Sequence, residues 1–352
     1  MLSVGIVGLP NAGKTTLFNA LTESSAEVAS YPFTTIDPNH AIVPIPDERL
    51  AALAKIFSQE IVKPATIEFV DVAGLVKGAH QGEGLGNQFL AQLREVDAIV
   101  HVIRFFSNPQ IPHIEGTVDP KRDFEIINIE LLYADLETVE RRMERIKRRT
   151  GEKEKEEWRI LEQLREHLGQ GKWAKTFPVD EKTKEVINGL FLLTAKPCLL
   201  VANIDEDEVG KIERIEINGN EAIPICAKLE ADILALSPDE RQEYLESVGI
   251  EETGLAKLLK ESYRALGLIT FYTGVGRELR AWPIKEGTTA WEAAGKIHTD
   301  IQKGFIKAEV ISFEELLRIG SWSLAKDKGL VRIEGKGYVM RDGDVAYFRF
   351  HP

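Results

Sequence analysis

The sequence predicts an α/β protein: a doubly wound parallel-sheet domain, interrupted by a helical coiled-coil hairpin and followed by a smaller α+β domain. Three observations carry that expectation. Short runs rich in Val and Ile recur at Val4–Val7, Thr66–Val70, Ala98–Ile103 and Pro197–Val201, separated by helical or glycine-rich stretches, which is how buried parallel strands read. The run Gly8-Leu9-Pro10-Asn11-Ala12-Gly13-Lys14-Thr15 joins the first of these to the helix-like Thr16–Leu21. Ile129, Leu132, Leu136, Val139, Met143 and Ile146 alternate spacings of three and four, a coiled-coil seam with charges on its other faces.

Taken in order, the Gly8–Thr15 run after a strand and before a helix reads as a cradle for a nucleoside triphosphate. Its glycines let backbone N–H groups face phosphate oxygens, Lys14 supplies a compact cation to the β- and γ-phosphates, and the Thr15 hydroxyl is a ligand for Mg²⁺. Asn11, Ala12, Gly13, Lys14, Thr15 and Thr16 are therefore the expected nucleotide-binding positions. The strand Ile67–Val70 runs into Asp71-Val72-Ala73-Gly74, where Asp71 can hold a Mg²⁺ water and the Gly74 N–H can reach the γ-phosphate. Between the two lies Ser30–Asn39, where Thr35 offers a hydroxyl to complete Mg²⁺ coordination, against a plain reading as a Pro-rich turn.

The seam of three and four continues, past a turn near Thr150-Gly151-Glu152, into Trp158, Leu161, Leu164 and Leu168, so residues 119–184 are expected as an antiparallel hairpin inserted in a nucleotide-binding domain of residues 1–118 and 185–267. The charge density of Arg141–Arg149 leaves only a narrow seam for packing and basic side chains for a partner such as RNA phosphate, although a solvated face is the commoner meaning of such a run. From residue 268 to 352, strands at Ile269–Thr273 and Ala281–Ile284, a helix over Ala290–Lys303 and strands near Ala308–Ile311, Gly329–Ile333 and Tyr347–Phe350 predict a compact α+β domain, with a Gly343 turn.

The bulk properties narrow the function class. At 352 residues and 43% hydrophobic content the chain is long enough for two or three cores, and a net charge of −12 argues against a chain-wide basic nucleic-acid surface. Two cysteines, Cys198 and Cys226, make no disulfide framework, which points to a reducing compartment, the cytoplasm. Met1 leads straight into a strand and no apolar run nears the roughly 20 residues of a membrane span, so neither export nor a membrane partner is expected.

The cradle, the Tyr31-Pro32-Phe33-Thr34-Thr35-Ile36-Asp37-Pro38-Asn39 stretch, Asp71–Gly74 and the glycine-spaced Gly78–Asn87 together resemble the Obg-related translation-factor NTPases, and within them most closely the YchF, or Obg-like ATPase, family. The resemblance covers essentially the whole chain. It implies a P-loop NTPase domain with a helical hairpin insert and a C-terminal ubiquitin-like domain of the TGS, β-grasp type, a ribosome partner contacted through the large subunit, and ATP preferred over GTP.

A guanine-specific site carries Asn-Lys-x-Asp after a late strand; the matching place here reads Asn203-Ile204-Asp205-Glu206. The Lys is absent and the acid is longer, so Asn203, Ile204 and Glu206 are the expected base-site residues, with the Asn203 amide and nearby backbone groups meeting adenine. Cys226-Ala227-Lys228 resembles the fifth nucleotide-binding loop and assigns Ala227 a backbone contact to the base. Regulatory GTPases place a water-orienting Gln where this chain has Leu75, so intrinsic turnover is expected to be slow, and His113 and His80 are the candidates for orienting water. Asn11 is a candidate for holding a monovalent cation, K⁺, against the phosphates. No long apolar seam remains once the hairpin pairs with itself, so a monomer is expected. The competing readings are a GTP-dependent switch and a binding module whose nucleotide only stabilises the fold.

Overall fold

The computed structural model describes residues 2–28, 39–59, 61–72, 85–147, 151–212, 214–275 and 278–351. The chain runs β1 (Ser3–Val7), α1 (Lys14–Val28), β2 (His40–Pro44), α2 (Glu48–Phe57), β3 (Ile61–Lys63), β4 (Thr66–Asp71), α3 (Leu85–Glu95), β5 (Ala98–Arg104), α4 (Pro120–Ile146), α5 (Glu152–Gly169) and α6 (Glu181–Asn188). It continues through β6 (Cys198–Asn203), β7 (Ile215–Ile217), β8 (Asn220–Ile225), α7 (Ala227–Leu234), α8 (Pro238–Val248), α9 (Gly254–Ala265), β9 (Leu268–Val275) and β10 (Glu278–Lys285). The last elements are α10 (Ala290–Ile297), α11 (Thr299–Lys303), β11 (Phe305–Ser312), α12 (Phe313–Ile319), α13 (Trp322–Asp327), β12 (Arg332–Glu334) and β13 (Asp344–Phe350). Two compact units result, Met1–Ile42 with Glu68–Leu258, and Val43–Ile67 with Leu259–Pro352.

The first unit is built on a seven-stranded sheet of order β2-β4-β1-β5-β6-β8-β7. β4, β1, β5, β6 and β8 are parallel neighbours and β7 pairs antiparallel with β8. All seven residues of β5 are buried, which is why its sequence is apolar without alternation. β1 has β4 on one side and β5 on the other, so the chain leaves it in opposite directions, and the glycine-rich turn after Val7 lies at that switch point, where such sheets take ligands.

Helix α4 starts on an Asp119 cap with Pro120 in its first turn and serves two cores. Ile127, Leu131 and Ala134 pack with Val7, Leu93 and Ile99 of the sheet domain. Leu132, Val139, Met143 and Ile146 pack against Leu161, Leu164 and Leu168 of α5, with Ile187 and Leu190 closing the far side. The seam read from the sequence is present from Leu132 onward, but Ile129 is 46% exposed, because it lies on a face of α4 that neither core covers. Of the basic residues from Arg141 onward, Arg141 pairs with Glu137, Arg142 with Glu157 and Lys147 with Glu144, so these three are engaged on the hairpin itself.

The second unit carries a six-stranded sheet of order β12-β11-β13-β9-β10-β3. β9 and β10 form an antiparallel hairpin, β13 lies parallel to β9, and β11 is antiparallel to both β13 and β12. With α10 packed through Ala290, Ala293 and Ala294 on Phe271, Phe305 and Val310, this is the expected ubiquitin-like, β-grasp arrangement. Two details depart from the sequence reading. The single helix over Ala290–Lys303 is two, broken where His298 takes an extended conformation and caps α11. Residues 43–67, read as part of the nucleotide-binding domain, form α2 and β3 of this unit, with Ile61–Lys63 lying parallel to Glu278–Arg280 at the sheet edge. The Gly343 turn has the expected positive φ of 85°. Among the described residues no helix is long and apolar enough to cross a membrane.

Candidate functional site

The turn after β1 is shaped by two positions that admit no side chain. A Cβ on Gly8 would run into the Val102 carbonyl oxygen, and one on Gly13, whose φ is 95°, would strike the Asn203 amide. Asn11 takes the left-handed conformation, φ 63°, and its Nδ2 donates to the Pro112 carbonyl at 3.0 Å. Lys14 opens α1, is 8% exposed, and donates from Nζ to the Leu9 carbonyl at 3.0 Å, so its ammonium curls back over the turn. Burial pulls its pKa below the ordinary lysine value, and the Asp71 charge opposes the shift.

The β1–β4 register sets Ile6 beside Asp71, which brings that carboxylate to the cradle. Thr15 Oγ1 donates to Asp71 Oδ2 at 3.4 Å. Burial raises the Asp71 pKa, with Lys14 and Thr15 holding it down. A hydroxyl and a carboxylate side by side are hard oxygen donors of the type Mg²⁺ takes, with waters and phosphate oxygens filling the rest of its octahedron. Beneath the turn, His101 of β5 is 3% exposed and stacks on Phe124 at 5.8 Å. Burial and the nearby Lys14 push its pKa down to about 3, so it is a neutral ring at physiological pH.

A cleft of roughly 550 Å³ opens beside the cradle, a size that fits a nucleoside. Asn11, Gly13, Lys14, Thr15 and Thr16 line one side, Asn203–Glu206 with Cys226–Lys228 another, and Phe106–Asn108 with Ile111 the third. The structure thus brings most of the sequence-selected residues together. Asn203, 6% exposed, proves to be a brace: its Nδ2 donates to the Ala12 carbonyl at 2.9 Å and its Oδ1 accepts from the Ala227 N–H at 3.1 Å. One amide hydrogen and one lone pair remain for a base. Ile204 is 3% exposed and belongs to the core behind the cleft, while Glu206 is exposed at its mouth. Thr35 and Gly74, together with Leu75 and His80, lie outside the described residues.

Sequence reasoning missed the third wall. Arg104, buried at the end of β5, donates to the carbonyls of Phe106 and Asn108 and lies 4.3 Å over the Phe106 ring, and the Ser107 N–H donates to Asp205 Oδ2 at 2.9 Å. Asp205, passed over between Ile204 and Glu206, is therefore the acid that fixes this loop. The one signal available was the charged Arg104 directly after an apolar strand.

His113 sits on the same loop, next to the Pro112 that Asn11 holds. In this arrangement its ring turns to α4: Nε2 lies 2.7 Å from Asp123 Oδ2, and Nδ1 accepts from the Glu115 N–H at 3.1 Å. Neither nitrogen faces the cleft, which departs from the expectation that it orients water there.

A family model described as 50S ribosome-binding GTPase matches residues 3–149, and a second, YchF-GTPase_C, described as a protein of unknown function (DUF933), matches residues 268–351. The ribosome-binding ATPase YchF of Bacillus subtilis (strain 168) is 48% identical over 363 residues, covering 99% of each chain. The protein of the same name from Escherichia coli O157:H7 is 46% identical over 359 residues, covering 99% of this chain and 98% of its own. The solved structure of the Schizosaccharomyces pombe YchF GTPase superposes with a TM-score of 0.89 at 36% identity, covering 99% of this chain and 97% of that one.

Proposed function

We propose that this chain, which belongs to the YchF family, is a Mg²⁺-dependent ATPase that binds the ribosome and lets its nucleotide state govern that binding. The observation that carries the reading is the grouping of Lys14, Thr15 and Asp71 at the end of β1, beside a cleft of nucleoside size. Lys14 leaves the Leu9 carbonyl for the β- and γ-phosphates, where an ammonium already deprived of water gains most from an anion. Gly13 and its neighbours donate backbone hydrogen bonds to phosphate oxygens. Thr15, Asp71 and Thr35 would hold Mg²⁺, which would supply positive charge against that developing on the β- and γ-phosphates. Gly74 donates to the γ-phosphate. His113 orients the attacking water once its ring leaves α4, and Asn11 contributes to a K⁺ site.

ATP is the preferred nucleotide. Ile204 gives the base an apolar wall in place of a lysine stem, and Glu206, exposed at the cleft mouth, carries one methylene more than the Asp that reads guanine. Asn203 serves the base with what its bracing leaves over, and Ala227 with its backbone. The bracing role of Asn203 is equally compatible with GTP, which is the second reading. The expected partner is the large ribosomal subunit, bound in the cytoplasm by a monomer, with RNA reached through local basic residues.

Titration calorimetry with non-hydrolysable ATP and GTP analogues and Mg²⁺ tests this, with an Ile204→Lys, Glu206→Asp double variant alongside. The ATP analogue is expected to bind more tightly to the parent and to lose its advantage in the variant. Tighter GTP-analogue binding by the parent would replace the ATPase reading with the GTP one.

A further inference from the structure

His113 and Asp123 form a buried pair, with side chains 3% and 4% exposed, at the junction of the cleft loop and the hairpin. Because Nδ1 accepts from the Glu115 N–H, the hydrogen lies on Nε2 and is donated to Asp123. The other Asp123 oxygen accepts from Arg122, whose guanidinium also donates to the Thr117 carbonyl, so the carboxylate is held from both sides. Asp123 stands in the first turn of α4, and its neighbour Phe124 stacks on His101 beneath the cradle. One residue before His113, the Pro112 carbonyl accepts from Asn11 of the cradle. The loop is thus tethered at one end to the phosphate turn and at the other to a 27-residue helix, about 40 Å long, whose far half packs mainly on α5 and α6.

We propose that Asp123 is a positioning residue that latches His113 away from the cradle, so that hydrolysis waits on a shift of the first turn of α4. A partner bound on the hairpin reaches the Asp123 carboxylate by displacing α4, since the hairpin arm and Asp123 stand on one continuous helix. Released from Nε2, the ring needs to move only locally, since Pro112 stays anchored on Asn11. The inference rests on the reading of His113 as the residue that orients water.

Single-turnover ATP hydrolysis by the full chain tests it, comparing Asp123→Ala, Asp123→Asn, His113→Ala and the Asp123→Ala, His113→Ala double variant. Removing the carboxylate is expected to raise the single-turnover rate constant about tenfold, the equivalent of one hydrogen bond to a charged group, with its half-saturating ATP concentration little changed. Asp123→Asn keeps an acceptor for Nε2 and is expected to fall between parent and Asp123→Ala. In the double variant the gain is expected to vanish. No gain in either Asp123 variant that melts as the parent does, or a gain that survives loss of His113, overturns the latch. A His113→Ala variant that turns over like the parent instead overturns the role of His113 itself. Should Asp123→Ala not fold, the Asp123→Asn comparison decides, since a latch predicts faster turnover and a structural contact predicts slower or unchanged turnover.

Discussion

The side-chain amide of Asn203 donates to the carbonyl of Ala12, 191 residues earlier, while its oxygen accepts from the N–H of Ala227. A single buried side chain therefore sets the phosphate turn and the β8–α7 turn at a fixed separation. Asn203→Ala strands both backbone groups, which costs roughly 1–3 kcal/mol each when buried. The expected outcome is a stability loss of about 2 kcal/mol or more by urea unfolding, with nucleotide affinity down at least tenfold by calorimetry. Asn203→Asp keeps the acceptor and loses the donor, and is expected to fall between.

Lys14→Met separates binding from folding. Its ammonium is buried and its pKa is lowered by that burial, so the charge is unfavourable to the fold without a phosphate to meet it. Loss of measurable ATP-analogue binding is expected, together with an unfolding midpoint in nucleotide-free buffer at or above the parent's. A variant that unfolds much earlier would show that Lys14 is structural.

Glu230, 7% exposed, accepts from the Gly254 N–H at the start of α9, and burial raises its pKa from 4.5 to about 6. A carboxyl with a raised folded-state pKa binds its proton more tightly folded than unfolded. Its contribution is full below pH 4.5 and is lost as pH climbs through 6, roughly 2 kcal/mol in all. Glu230→Gln is expected to remove that part of the slope of unfolding free energy between pH 4.5 and 6; an unchanged slope would assign it to other groups.

In the second unit, Arg49 pairs with Asp47 and with Asp342, 293 residues away, and lies over the ring of Tyr272, whose phenol also donates to Asp47. Arg49 is part-exposed, so Arg49→Ala is expected to cost about 1–2 kcal/mol rather than the 3–5 of a deeply buried pair. Arg49→Lys is expected to recover little, because a single ammonium cannot span two carboxylates as a fork does. Thermal unfolding of the two variants checks the order.

What the sequence discloses depends on how local the signal is. The cradle, the strands beside it and the α4–α5 seam are contiguous patterns, and they stand where they were expected. The membership of residues 43–67 is not contiguous: β3 is three residues long and pairs with a strand more than 200 positions later, so no periodicity announces it. Ile129 keeps the seam's spacing yet falls between two cores, a difference that only tertiary packing makes. Asp205 and Arg104 act by bonding a loop that carries no motif, and the brace that Asn203 forms besides lining the cleft has backbone partners, which a sequence does not display.

The division at Ile42, Ile67 and Leu258 also sets an order of events during synthesis. Residues 43–67 leave the translating ribosome early, but the strands against which they pack begin about 200 residues later. At the usual pace of roughly 5–20 residues per second they wait about 10–40 s before their sheet begins to emerge, with the amphipathic α2 lacking its final partners. The nucleotide-binding unit can complete its own fold around this excursion, from Glu68 to Leu258, before the second unit has a single long strand. No one cut in the chain releases the second unit whole, because the first unit resumes between its two segments.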